Sequence, residues 1–170
     1  MLLGYSIEEC GMRQVQRMLC VALLGLADLS SEALAGDAAW KFVAEGRTPT
    51  GVKHLVFFDQ NSVKIGAAGL VQVWTLDSSK ALISLPLKKK AGKRYRSLLA
   101  LEFFDCTEKK SGMQQAVYHQ GEMGVGAVVS SWDEPGTPEL RAYPPESMGE
   151  EIIEKVCAAA STQPLGAGAR

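Results

Sequence analysis

Tyr95-Arg96-Ser97-Leu98-Leu99-Ala100-Leu101-Glu102-Phe103-Phe104-Asp105-Cys106 is the stretch on which the reading of this chain turns. It is rich in apolar and aromatic residues and long enough for a central β-strand. In a strand, Leu98, Ala100, Phe104 and Cys106 share one face, while Tyr95, Ser97, Leu99, Leu101 and Phe103 share the other. Both faces are largely apolar, so both need cover. A helix suits one side; a partner subunit, loops or strong sheet curvature must serve the other.

The strand ends in one of four cysteines, and the N-terminal sequence decides which of them matter. From Met12 the chain reads Met-Arg-Gln-Val-Gln-Arg, then an apolar run over 18–27, then small residues at Ala33 and Ala35. A basic start, a short apolar middle and small residues before a cut are the parts of a secretory signal, with cleavage expected after Ala35. The apolar run is about half the length needed to cross a bilayer, so no stable membrane anchor is expected. Residues 1–11 carry two glutamates and make a poor leading segment, which places the expected translation start at Met12. Cys20 lies inside the apolar run, not at its end, and offers no lipid-attachment site.

Cleavage removes Cys10 and Cys20 and delivers Cys106 and Cys157 to an oxidising compartment, where pairing is the simplest outcome. Two buried free thiols are the alternative that a reducing cytosol would favour. Closing a loop of about fifty residues stabilises the fold by about 4 kcal/mol on the chain-entropy account. Export also changes the charge. The whole chain has 18 basic and 19 acidic residues; without residues 1–35 it has 16 and 15, a net of +1. That balance argues against general nucleic-acid or membrane-surface binding.

The 170 residues suit one domain, expected over 36–160. Alternation and turn residues predict strands over 38–46, 54–59 (extended by 63–65) and 70–76, ahead of the central strand. Two more follow over 112–119 and 125–132. No helical pattern long enough for a parallel crossover separates them, so the sheet is expected to be antiparallel. Residues 77–94, with Pro86 and Leu87-Lys88-Lys89-Lys90-Ala91-Gly92-Lys93-Arg94, read as a mobile hairpin loop. Ser147 with Glu150 three residues on is a capping-box signature for a helix over about 148–160. Its stripe of Ile152, Ile153, Val156 and Cys157 turns Cys157 toward the sheet. Residues 161–170 lack periodicity and read as a disordered tail. The expected fold is therefore α+β: a six-stranded antiparallel sheet with a C-terminal helix tethered to one face by a Cys106–Cys157 disulfide.

Between Trp40 and Cys157 the chain resembles the surface-adhesin protein E family of Gram-negative bacteria. The resemblance is carried in order by Trp40, Phe58-Asp59 with Ser62-Val63, Val71-Gln72-Val73-Trp74, Tyr95-Arg96-Ser97, Phe104-Asp105-Cys106, Met123-Gly124-Val125-Gly126, Glu134-Pro135-Gly136, Pro144-Pro145-Glu146-Ser147 and Val156-Cys157. It implies the same sheet, helix and disulfide. The family's best-known member is a surface lipoprotein that binds host vitronectin and laminin and can dimerise; this chain lacks its lipidation cysteine. By resemblance the expected partners are host matrix proteins and a second copy of the chain, and the expected location is periplasmic or secreted.

For function, the strongest local signal is Lys88, Lys89, Lys90, Lys93, Arg94 and Arg96, a candidate patch for sulfated glycans, acidic protein segments or envelope polymers. A solvated hairpin tip whose lysines prevent edge-to-edge pairing is the bland alternative. A periplasmic structural or interaction protein without an adhesive role needs the same scaffold. An enzyme is a weaker reading. His54 and His119 are the only histidines, and Ser62, Ser97, Ser130 and Ser131 lie in no nucleophile-elbow pattern. With both cysteines committed to each other, no metal-ligand cluster remains, and no cofactor is expected. Trp40, Trp74 and Trp132 read as core aromatics.

Overall fold

The computed structural model describes residues 38–66, 68–85 and 92–162. The expected signal segment with Ala33 and Ala35, the start at Met12, Lys88, Lys89, Lys90 and all but the first two residues of the expected tail lie outside the described residues.

Six principal strands form one antiparallel sheet: β1 (Trp40–Arg47), β2 (Lys53–Asp59), β4 (Val71–Ser84), β5 (Arg94–Asp105), β6 (Lys110–His119) and β7 (Val128–Asp133). They lie side by side in the order β1-β2-β4-β5-β6-β7; the two-residue strands β3 (Lys64–Ile65) and β8 (Arg141–Ala142) add to β4 and β6. Among the six principal strands every sheet neighbour except the β2–β4 pair follows directly in sequence, and a 3-10 turn with β3 bridges that one. The connections β1–β2, β4–β5 and β6–β7 therefore gather at one end, called here the hairpin end.

Helix α1 (Met148–Ser161) lies across one face of the sheet. Ser147 Oγ accepts from the Glu150 amide as the capping box requires. The reciprocal bond is displaced by one residue: Glu150 Oε2 accepts from the Glu146 amide, 2.8 Å away. Ile153, Val156 and Ala160 are buried against Val43, Val56, Phe58, Val71, Val73 and Phe104. A disulfide joins Cys106, one residue past β5, to Cys157 on α1, with Cα atoms 5.6 Å apart. A second apolar cluster on the sheet joins Leu85, Ala116 and Tyr118, with Tyr95, Leu98 and Trp132 packed against it. Leu98 opposes Tyr118, and Ala100 opposes Ala116 across the ladder. One face of the central strand thus meets α1 at its Phe104 end and the end of the β4–β5 hairpin at its Leu98 end.

The opposite face is covered in part by the 120–127 loop. Ser97 is fully buried there; its Oγ donates to the Gly121 carbonyl (2.6 Å) and accepts from the Gly124 amide (2.9 Å). The Met123 amide donates to Ser78 Oγ at 3.0 Å. Gly124, at φ +77°, sits so close to Leu99 that a Cβ would come within 3.0 Å of its Cδ1.

Three sequence expectations are corrected. The chain from Asp77 is not a loop: β4 continues to Ser84, and only 85–93 connect it to β5. A wide irregularity between Ser78 and Ile83 lets the strand pass this polar stretch. Ser79 stabilises it by donating from Oγ to the Lys53 carbonyl and accepting from the Ala81 amide, while Ile83 and Leu85 are buried beyond. The last main strand starts at Val128, not Val125, because Gly124 and Gly126 both hold positive φ and keep the chain turning. The helix also runs one residue further than expected, through Ser161, with Thr162 as its C-cap.

Candidate functional site

The chemistry-bearing residues fall into two places, a polar seam on the sheet and the hairpin end. In the seam, His54 on β2 donates from Nδ1 to Asp77 Oδ2 on β4 at 2.5 Å, and Thr75 Oγ1 donates to Glu102 Oε1 on β5 at 2.6 Å. His54 is buried, packed on Gly46 and Met148, where a Cβ on Gly46 would lie 2.7 Å from the Met148 sulfur. Asp77 Oδ1 is buried with no hydrogen-bond partner among the described residues. Burial raises the Asp77 pKa, an effect the nearby His54 opposes. Burial likewise raises that of Glu102 against the Thr75 hydroxyl. Tyr95 is pushed up to about 12 by burial, then by the Asp77 carboxylate and Tyr118; its ring meets Tyr118 edge-on at 4.9 Å.

This seam orients a histidine with a carboxylate, and among the described residues no hydrogen bond joins a hydroxyl or thiol to that histidine. Ser62, Ser97 and Ser79 spend their hydroxyls on backbone groups. His119 lies far from His54 along the sheet, its Nδ1 3.3 Å from the Gly126 carbonyl oxygen. Ser130 is buried on β7, and Ser131 is exposed beside it. Among the described residues no three His, Cys, Asp or Glu side chains gather to hold a metal. Trp74 and Trp132 are half-buried in β4 and β7, and Trp40 is half-buried at the start of β1.

An open groove of about 550 Å³ runs between β6, β8 and the segment joining β7 to β8. Of its charges Glu134, Glu139 and Arg141, the last two bond to each other at 3.1 Å, and Glu134 acts on the same arginine. That pairing leaves little for a ligand.

At the hairpin end cations are clustered. Arg47, Lys53, Lys80, Lys93 and Arg94 are exposed there, against the exposed carboxylates Glu45 and Glu122. Only Lys53 has a carboxylate partner among the described residues, Glu45 at 2.5 Å. Arg47 donates to the Gly51 carbonyl, Lys93 to the Val129 carbonyl (3.1 Å) and Arg94 to the Leu82 carbonyl (3.4 Å), so their charges stay unneutralised. Most lysines and arginines elsewhere are matched, Lys109 with Glu150 and Glu154, Lys110 with Glu108, Arg141 with Glu139 and Lys155 with Glu151, while Lys41 and Lys64 stand exposed and apart from each other on β1 and β3.

Of the cationic run singled out in the sequence, Lys93 and Arg94 lie on this end. Arg96 is half-buried within β5, its Nε buried without a hydrogen-bond partner among the described residues. The structure adds Arg47, Lys53 and Lys80, which sequence spacing did not reveal because they reach the same end on three other strands. Asp77 and Glu102 also escaped notice. The one available signal was a carboxylate, Glu102, on the same side of the central strand as Ala100 and Phe104.

Sheet, tethered helix and cation-rich end together define an α+β domain in which a disulfide holds a C-terminal helix against a curled antiparallel sheet. The family profile described as Surface-adhesin protein E matches residues 40–158, and the chain belongs to that family. It is thereby an adhesin-like binding module. Among solved structures it is similar to crystal form II of Haemophilus influenzae protein E, at 14% identity and TM-score 0.46, covering 69% of this chain and 89% of that one. A second structure of Haemophilus influenzae protein E aligns at 11% identity and TM-score 0.45, covering 64% and 82%. No curated protein matches the chain in sequence. Among the described residues, no helix is long and apolar enough to cross a membrane.

Proposed function

We propose that this chain is an exported, non-enzymatic binding module whose binding face is the hairpin end of its sheet. The observation that carries this reading is the cluster of exposed cations there, four of which lack a carboxylate partner among the described residues. Unneutralised cations on a rigid rim attract anionic partners at long range and hold them at contact. Lys88, Lys89 and Lys90 fall in sequence between β4 and β5. By family resemblance the partners are matrix proteins such as vitronectin or laminin, reached after export through a cleaved signal.

The test is retention on immobilised heparin and on vitronectin, comparing the mature chain with Lys88→Glu/Lys89→Glu/Lys90→Glu and Lys80→Glu/Lys93→Glu/Arg94→Glu variants. Earlier elution at lower salt is expected for both, and unchanged elution overturns the assignment of the face. Surface-accessible labelling of intact cells decides between an adhesin, which must label, and a periplasmic interaction protein, which must not.

A further inference from the structure

The hairpin end carries a second feature that an acidic partner does not call for. Seven large apolar side chains are exposed among the described residues, and four of them, Leu82, Met123, Val125 and Val128, lie at this end. Met123, Val125 and Val128 are 43%, 62% and 57% exposed. They are interleaved with the unpaired cations. Arg94 bonds the carbonyl of Leu82, and Lys93 bonds that of Val129, next to Val128. The loop bearing Met123 and Val125 is held on the sheet by Ser78 and Ser97, so the apolar tips are presented on a fixed support.

We propose that this end docks reversibly on an anionic phospholipid surface, with Met123, Val125 and Val128 entering the boundary of the acyl region and Lys80, Lys93 and Arg94 meeting lipid phosphates. This rests on the reading of the hairpin end as the binding face and names its partner's chemistry. Charge complementarity selects an anionic surface, and the exposed valines select one with apolar depth beneath the charge. A sulfated glycan or an acidic peptide satisfies the cations alone. The near-zero net charge of the chain does not oppose docking, because the local balance at this end is cationic: Arg47, Lys53, Lys80, Lys93 and Arg94 stand against Glu45 and Glu122 among the described residues.

The experiment is co-sedimentation of the folded mature chain with vesicles of equal parts phosphatidylglycerol and phosphatidylcholine, against phosphatidylcholine alone. Binding to the anionic vesicles only, weakened by salt, is expected, with about a five-fold loss of affinity for each of Lys93→Gln and Arg94→Gln. Val125→Ser/Val128→Ser is expected to lose vesicle binding while keeping heparin retention. Equal vesicle binding by that variant overturns the proposal. So does heparin retention by the parent chain without vesicle binding, an outcome that leaves the binding-face reading intact; loss of both sinks the two together. Should the double variant fail to fold, Val125→Trp replaces it. Quenching of the added indole by brominated phosphatidylglycerol supports insertion, and its absence overturns it.

Discussion

The buried His54 and the half-buried Asp77 pair across β2 and β4, with one carboxylate oxygen bonded to the imidazole and the other buried without a partner among the described residues. The carboxyl is thus half-satisfied where water is scarce, so its charged form is costly.

That cost fixes the sign of a pH effect. Asp77 and Glu102 both have folded-state pKa values above their ordinary ones, so the folded state binds protons that the unfolded chain does not. Their charged forms subtract stability at neutral pH. The loss is relieved as pH falls through the raised values and fully removed below the unfolded ones, near 4. Denaturant melts are expected to show stability rising by on the order of 1 kcal/mol between pH 7 and the low end of this window. It then falls as Glu150, lowered chiefly by the Glu146 amide, becomes protonated. Asp77→Asn should flatten the acid-side rise; an unchanged profile in that variant would refute the assignment to Asp77.

The Cys106–Cys157 bond closes a 51-residue separation between β5 and α1. Cys106→Ser/Cys157→Ser is expected to lose about 4 kcal/mol by equilibrium unfolding. Mass analysis of the unreduced mature chain should show neither thiol open to alkylation.

Gly112 lies under the segment leading to β8, where a Cβ would meet the Glu139 carbonyl oxygen at 2.5 Å. Backbone cannot yield as a side chain can. Gly112→Ala is therefore expected to cost about 1–3 kcal/mol in thermal or denaturant melts.

Ser97→Ala removes both hydrogen bonds that pin the 120–127 loop through one hydroxyl. A destabilisation of about 1–3 kcal/mol is expected. Hydrogen exchange at the Gly124 amide should accelerate more than exchange in β2; equal acceleration would show that the serine acts on the whole sheet and not on the loop.

Much of the fold was legible before any coordinate. Local patterns reported local structure: alternation marked most of the strands, Ser147 and Glu150 marked the start of α1, and the two cysteines beyond residue 35 named the cross-link. The continuation of β4 through Ser78-Ser79-Lys80 was hidden, because no apolar alternation marks it. Its strand geometry depends on Ser79 reaching a carbonyl on β2, 26 residues earlier.

The sequence by itself determined the α+β architecture, the tethering disulfide and a cationic stretch, since each rests on residue type at short spacing or on a count. Tertiary structure alone decided which charges act together. Arg47, Lys53 and Lys80 join Lys93 and Arg94 only because antiparallel order brings three connections to one end, where Lys53 alone meets a carboxylate among the described residues, Glu45. It also decided that His54 faces Asp77 and Thr75 faces Glu102. Those partners are 23 and 27 residues apart, and strand register, not sequence proximity, sets their distances.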